Sequence, residues 1–253
     1  MSFQFSELVL FRSLAELRSE STHSYAGMLW WLIRPLLSLC VYGVFFMLIM
    51  GVKEDHFLLF LFTGVISWEW FASATLRNAG SVAGNRPLLL LVKLNPALFP
   101  LSISIVTMVK FLLGLLLLII VVACFGSMGL SSTALLLPIL ILGQLVLVCG
   151  VGMIAASITP LLPDFQLLLL TVIQLMMFLS GVFNRIDTLP PTLRTWLSLN
   201  PMALQIAQYR QVILYHELPK IQDMIYIWGF GIVCCLIGYA LLTKFRTTYT
   251  KIW

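Results

Sequence analysis

Charge is scarce in this chain: Asp, Glu, Lys and Arg make up 10% of its 253 residues, against roughly 25% in an ordinary soluble domain. With 60% of residues hydrophobic, that scarcity excludes a water-soluble globule. The usual catalytic loops are missing too. There is no GxxxxGK[ST], no HExxH and no GxSxG, and the three histidines, His23, His56 and His216, fall in unrelated segments. The chain therefore does not hydrolyse nucleotide by itself, and uphill transport by it must draw on another subunit or an ion gradient. The five cysteines (Cys40, Cys124, Cys149, Cys234, Cys235) all lie in apolar runs without CxxC or Cys/His spacing, which speaks for small core residues over a zinc site or redox pair. The Gly-rich triplets at 150–152 and 229–231 lie inside apolar runs rather than after a soluble strand, and read as close-packing points. Glu7, Glu16 and Glu20 stand where a signal peptide would be apolar, so no cleavable signal is expected.

Long apolar runs are what the chain has instead. A spanning helix takes about 20 residues, and six segments reach that length: 28–52, 57–76, 97–126, 133–162, 165–183 and 224–243. This predicts an all-α integral membrane protein with both termini on one side. Pro138 and Pro160 mark kinks or ends of the long fourth span. Lys and Arg of short loops stay in the cytoplasm. With the N-terminus inside, cytoplasmic pieces hold Arg12, Arg18, Arg77, Arg86, Lys93, Lys244, Arg246 and Lys251, against Lys53, Arg185, Arg194, Arg210 and Lys220 outside. The count favours cytoplasmic termini, with a tail at 244–253. Nucleic acid is not an expected partner.

Three segments do not span. Residues 4–22 place Leu10, Leu14 and Leu17 on one helical face and Arg12, Glu16 and Glu20 largely on the other, as in a helix lying at the cytoplasmic membrane surface or leading into the first span. Residues 77–96 begin polar and carry Gly80, Gly84, Pro87 and Pro96, so they must turn in the cytoplasm. Their Leu88–Leu91 run suits insertion into a partner's groove or a rest on lipid. Residues 184–223 are broken by Pro190, Pro191, Pro201 and Pro219 into short stretches near 190–199 and 201–215, a pattern that fits a re-entrant hairpin from the outside.

Charges at membrane depth are costly and make the default functional candidates. Glu69, in Ser67-Trp68-Glu69-Trp70-Phe71, and Lys110 fall at comparable depth in successive spans and are expected to be able to pair; Arg34 can snorkel to the inner headgroups. Aromatics near the boundaries (Trp30, Trp31, Trp68, Trp70, Phe71, Trp196, Tyr209, Trp228) read as an interfacial belt or as stacking surfaces for sugar rings. A lone Glu69 is thin support for an ion-coupled carrier. A membrane-embedded enzyme would need a convergent acid, base or metal cluster that the sequence does not offer.

The order of these features carries more than any one of them. YAGMLWWLIRPLLSLCVYGVFF (25–46), then FLLFLFTGVISWEWFASATLRNAGSVAGNRPLL (57–89), then LSLNPMALQIAQYRQVIL before the last span, resembles the membrane subunit of ABC-2 type exporters. The likeness is to the branch serving O-antigen, capsule and teichoic acid. Its most specific pieces are Gly64, Trp68, Trp70 and Phe71, the Asn85 loop, and Asn200-Pro201. The resemblance implies a bacterial inner-membrane permease that forms a channel as a homodimer and moves lipid-linked glycan. Two copies of a cytoplasmic ATPase would carry the ATP and Mg, with no cofactor on this chain. It implies a channel lining of Trp30, Trp31, Tyr42, Trp68, Trp70 and Phe71. It implies a coupling helix at 81–93 using Asn85, Arg86, Leu89, Leu90 and Lys93. It further implies external gate helices at 184–218 with Arg185, Trp196, Asn200, Pro201, Tyr209 and Arg210. An ABC-2 exporter of a drug or small lipid is the nearest alternative.

Overall fold

The computed structural model describes residues 5–22, 27, 29–51, 56–92, 94–125, 132–185 and 190–249, and among them every regular element is a helix. First come α1 (Phe5–Thr22) and α2 (Leu29–Gly43), the latter running on into a π-helical turn at Val44–Ile49. A long α3 (Phe57–Gly84), a short α4 (Arg86–Leu91) and a long α5 (Leu98–Phe125) follow. A 3-10 turn at Ser132–Leu136 leads into α6 (Leu137–Ile158), and then comes α7 (Phe165–Phe178). Two short helices, α8 (Pro191–Ser198) and α9 (Pro201–Arg210), start at prolines, which suit a first helical turn because they lack the N–H that would go unpaired there. Helix α9 ends in a π turn at Gln211–Tyr215, and α10 (Ile221–Lys244) and α11 (Arg246–Tyr249) complete the described chain.

Among the described residues, five stretches are long and apolar enough to cross a bilayer: Leu29–Ile49, Phe57–Gly84, Leu98–Ala123, Ser132–Ile158 and Ile221–Lys244. The expected fifth span, 165–183, is different. Its helix α7 has 14 residues, about 21 Å at 1.5 Å per residue, and the backbone leaves the helix after Phe178, with Gly181 at φ +70°. The neighbours nevertheless fix its direction. A Cβ on Gly143 would meet Trp228, one on Gly150 would meet Cys234, and one on Gly238 would meet Met153. Residue numbers thus rise together along α6 and α10, so the two helices are parallel. Between them the chain returns, along α7 and the segment to Arg185, towards the end of the bundle at which α6 starts.

Close approach of α6 and α10 depends on glycines one heptad apart on each helix, Gly143 and Gly150 on one, Gly231 and Gly238 on the other. At Gly150 a Cβ would lie 2.7 Å from both the Cys234 Cβ and the Gly231 carbonyl oxygen. Without a solvent-driven force between spans, such backbone proximity is what holds them.

One expectation needs correction. The second span does not end at residue 76: α3 continues through the polar stretch to Gly84. Some of its polar groups are taken up within the bundle, Asn78 Nδ2 donating to Ser104 Oγ at 3.0 Å and Ser81 Oγ to the Asn78 carbonyl at 2.7 Å. Residues 81–84 therefore belong to α3, and only Arg86–Leu91 form a separate short helix. Pro138 and Pro160 are ends rather than kinks: Pro138 sits in the first turn of α6, and Pro160 lies just beyond the helix end.

Helix α1 runs beside the inner part of α5. Ser13 Oγ donates to the Val9 carbonyl at 2.7 Å and to the Ser102 carbonyl at 3.2 Å, and the Arg12 guanidinium lies 4.6 Å from the Phe99 ring centre. Val9 and Ser13 are buried, while Leu10, Phe11 and Leu14 are exposed. The polar side of α1 thus faces protein and its apolar side faces outward.

Candidate functional site

Helices α2, α3, α5 and α7 border an open groove of about 950 Å³. Helix α2 contributes Trp30, Trp31, Arg34 and Tyr42; α3 contributes Trp68, Glu69, Trp70 and Arg77; α5 contributes Lys110 and Phe111; α7 contributes Gln174 and Met177. Sequence order on α3 explains the arrangement. Helical rotation of about 100° per residue sends Trp68 and Trp70 into the bundle, each 3% exposed, and leaves Glu69 less buried between them. Trp70 stacks on Phe111 with ring centres 4.5 Å apart, and Phe111 lies 5.8 Å from Tyr209. These two tryptophans are core residues that show an edge to the groove, not members of a headgroup belt. Phe71 touches Trp68 at 5.5 Å but does not line the groove.

The expected Glu69–Lys110 pair is not formed. Glu69 accepts a hydrogen bond of 2.6 Å from Ser38 Oγ on α2. Lys110 instead reaches Glu20 of α1, which also pairs with Arg77 at 2.7 Å, and Arg77 pairs with Glu16 at 2.6 Å. An acid on α1 is nearer to Lys110 because α1 and α5 run side by side. Burial pushes the Glu20 carboxyl up, but its hydrogen bond to Lys110 and the positive charges of Arg77 and Lys110 outweigh that, and the carboxyl sits below its ordinary range. Lys110 also lies over the Trp31 ring at 5.3 Å. Sequence reasoning missed Ser38, Glu16, Glu20 and Arg77 as groove or mouth residues. Ser38 had a signal, standing one turn beyond Arg34 on the same face of α2.

At the outer end Arg210 is buried, with 4% exposure. Among the described residues it has no carboxylate partner in hydrogen-bond reach; it donates to carbonyls instead, Nη1 to Gly181 at 2.7 Å, Nη2 to Val182 at 2.7 Å and Nε to Phe60 at 3.2 Å. Its guanidinium also stacks 3.4 Å from the Phe60 ring centre. Gly64 makes room for it: a Cβ there would lie 2.5 Å from Arg210 Nη2. Asn200 takes a further free carbonyl, donating Nδ2 to Leu179 at 3.3 Å while its Oδ1 accepts from the Met202 N–H at 3.0 Å and caps α9. The unwound end of α7 is thereby satisfied by two side chains of the following segment, as backbone at membrane depth requires. Tyr209 is fully buried, whereas Trp196 is 73% exposed, and Pro201 opens α9. Arg185 lies 5.8 Å from the Phe60 ring and 5.4 Å from the Tyr215 ring. Phe183 joins this end to α2 through ring contacts with Tyr42 at 5.1 Å and Phe46 at 5.3 Å.

At the inner end Asn85 links three elements. It accepts 2.7 Å from Arg12 Nη2 of α1 and donates 2.8 Å to the Ser81 carbonyl of α3, directly before α4. On α4 the leucines divide: Leu90 and Leu91 are 55% and 82% exposed, while Leu89 turns inward against the cluster of Val82, Ala97, Met153 and Tyr249. Leu89 is thus less open to a partner than Leu90 and Leu91. Arg86 borders a smaller cavity of about 240 Å³ beneath α4, with Pro160 and Tyr249. Lys93 lies outside the described residues.

A family model described as ABC-2 type transporter matches residues 15–214. The chain belongs to the ABC-2 type transporter family. Among relatives of this ABC-2 permease is the O-antigen export system permease protein RfbA of Myxococcus xanthus, 24% identical over 251 residues, covering 98% of this chain and 96% of that one. A protein of the same name from Klebsiella pneumoniae is 25% identical over 238 residues, covering 94% and 91%. The polysialic acid transport protein KpsM of Escherichia coli is 22% identical over 230 residues, covering 90% and 89%.

Proposed function

We propose that this ABC-2 permease moves lipid-linked polysaccharide, of the O-antigen or capsule type, across the bacterial inner membrane. Two copies form the channel, with both termini in the cytoplasm, and ATP with its Mg is hydrolysed by two copies of a separate cytoplasmic subunit. The observation that carries this reading is the groove beside α2. It combines tryptophan and tyrosine side chains, whose rings suit pyranose faces, with polar groups, Glu69 and Gln174, that can meet hydroxyls. The full-length similarity to permeases named for O-antigen and polysialic acid supports the same substrate class. Helix α2 leaves most of its surface uncovered, 11% of its span being buried, which suits a second copy closing the groove. Exposed Leu90 and Leu91 on α4 offer the ATPase an apolar contact, and Arg12–Asn85 passes its movement to α1.

Purification of the tagged chain from its native host in mild detergent tests the reading. It predicts recovery of a soluble ATPase in equal amount and nucleotide hydrolysis by the complex. A chain that emerges alone under several mild conditions would move the weight to an ion-coupled carrier, with Glu69 as the group to test. A drug or small-lipid exporter would keep the ATPase but transport dyes rather than glycan.

A further inference from the structure

Each cation among the described residues that line the groove is answered by a carboxylate of this same chain. Arg77 pairs with Glu16 at 2.6 Å and with Glu20 at 2.7 Å, and Lys110 pairs with Glu20 and lies over the Trp31 ring. Arg34 stands one turn before Ser38 on the same face of α2, and its charge acts on Glu69, the carboxylate to which Ser38 donates at 2.6 Å. The lining thus carries three cations, Arg34, Arg77 and Lys110, and with Glu16 behind Arg77 they meet three carboxylates. Beyond Glu69 the charge stops. Toward the start of α3 the groove is bordered by Trp68 and Ile66, beyond Ser38 on α2 by Tyr42, and α7 adds no charged side chain.

A polymer with an acid in its repeat would have to carry each anion past Glu69, between aromatic rings, with every nearby cation already paired. Like charges brought together at membrane depth are costly. A sugar without charge meets no such cost, and its hydroxyls are donors for which an ionised carboxylate is a strong acceptor. Ser38 engages Glu69 through Oε1 alone, and a carboxylate has about four acceptor positions in all. Tyr42 is near enough for the Glu69 charge to act on it and adds a ring beside the carboxylate. A second copy closing the groove repeats the same balanced lining. We propose that Glu69 is a specificity residue that selects an uncharged glycan, one whose repeat carries no carboxylate, sulfate or phosphate. The proposal rests on the exporter reading above and narrows its substrate class.

The test deletes the gene for this chain in its native host, isolates the surface polysaccharide that disappears, and determines its composition by methanolysis with mass spectrometry and by sulfate and phosphate assay. A repeat of neutral sugars is the expected result; an acidic sugar, sulfate or phosphate in the repeat would overturn the proposal. Complementation with E69Q should lower the polymer reaching the surface about tenfold or more, at equal amount of the chain in the membrane, and E69D should recover part of it. Full export by E69Q would show that Glu69 selects nothing and would overturn the proposal as well. Should E69Q fail to accumulate, the unaltered complex in liposomes decides, given its own lipid-linked glycan lightly esterified with either succinyl or butyryl groups. These are close in size, and only succinyl adds a carboxylate. Export of the succinyl form should be about tenfold slower or more, and equal rates refute the selection. Failure of the exporter reading looks different. A deletion strain that keeps all its surface polysaccharide sinks that reading, whereas loss of an acidic polysaccharide upholds it and sinks this proposal alone.

Discussion

Arg210→Met is the substitution that most directly probes how the short α7 is tolerated. Methionine keeps the apolar stem of the side chain and removes every donor, so the carbonyls of Phe60, Gly181 and Val182 lose their partner together. A buried acceptor left unpaired costs about 1–3 kcal/mol, and three of them give an upper range of about 3–9 kcal/mol on the same basis. Removing a buried cation that has no carboxylate partner returns several kcal/mol of desolvation. We therefore expect the low end, a loss of about 3 kcal/mol, with each kcal/mol moving the melting temperature by about 2–4 °C for a chain of this size. The expected fall is about 6–12 °C, measured by tryptophan fluorescence of the detergent-purified chain. Arg210→Lys should fall between, since one ammonium cannot serve all three carbonyls. Hydrogen exchange should rise first at residues 179–185. A melting temperature for R210M within about 2 °C of the unaltered chain, with no local rise in exchange, would refute the reasoning.

Three further outcomes follow from the geometry. Glu20 has a folded-state pKa below its unfolded value, so its contribution to α1 docking is present above the unfolded value and is lost as pH falls through the depressed one. Labelling of a cysteine placed at Ser13, buried between α1 and α5, should rise on acidification relative to an exposed cysteine labelled at the same pH, a ratio that cancels the falling thiolate fraction; E20Q should show the higher ratio already at neutral pH and respond less to acid. Gly150→Ala should cost about 1–3 kcal/mol through overpacking, because its Cβ would meet Cys234 and Gly231 at 2.7 Å; unchanged thermal stability would contradict the close contact of α6 and α10. Leu91→Asp should abolish co-purification of the ATPase while leaving the melting temperature intact, whereas Leu89→Asp should lower the melting temperature, since only Leu89 turns inward.

The spans were legible because uninterrupted apolar length is a strong signal, and the starts of α8 and α9 were legible because proline at 191 and 201 opens helices. Periodicity and length carry no information about what makes α7 short. Its end is set by carbonyls at 179, 181 and 182 meeting Asn200 and Arg210, side chains some twenty to thirty positions further along. The polar run after residue 76 misled for a related reason: Asn78 and Ser81 look like turn formers until Ser104 and the helix's own carbonyls take up their hydrogen bonds. Pairing of Glu69 with Lys110 failed although the depths were comparable, because depth says nothing of a third helix. Helix α1, read as surface-lying, supplied the nearer acid, and Ser38 the nearer donor. Trp68 and Trp70 looked interfacial by type; their burial comes from α5 and α9, through Phe111 and Tyr209, and no local pattern reports it.

The central claim is that the groove beside α2 carries glycan under power from a partner's ATP. Reconstitution of the native complex into liposomes, with labelled lipid-linked polysaccharide presented on the ATP side, tests it most directly. The account predicts accumulation of glycan on the far side that requires ATP and is indifferent to a pH gradient. Transport that follows the pH gradient and ignores ATP would contradict it.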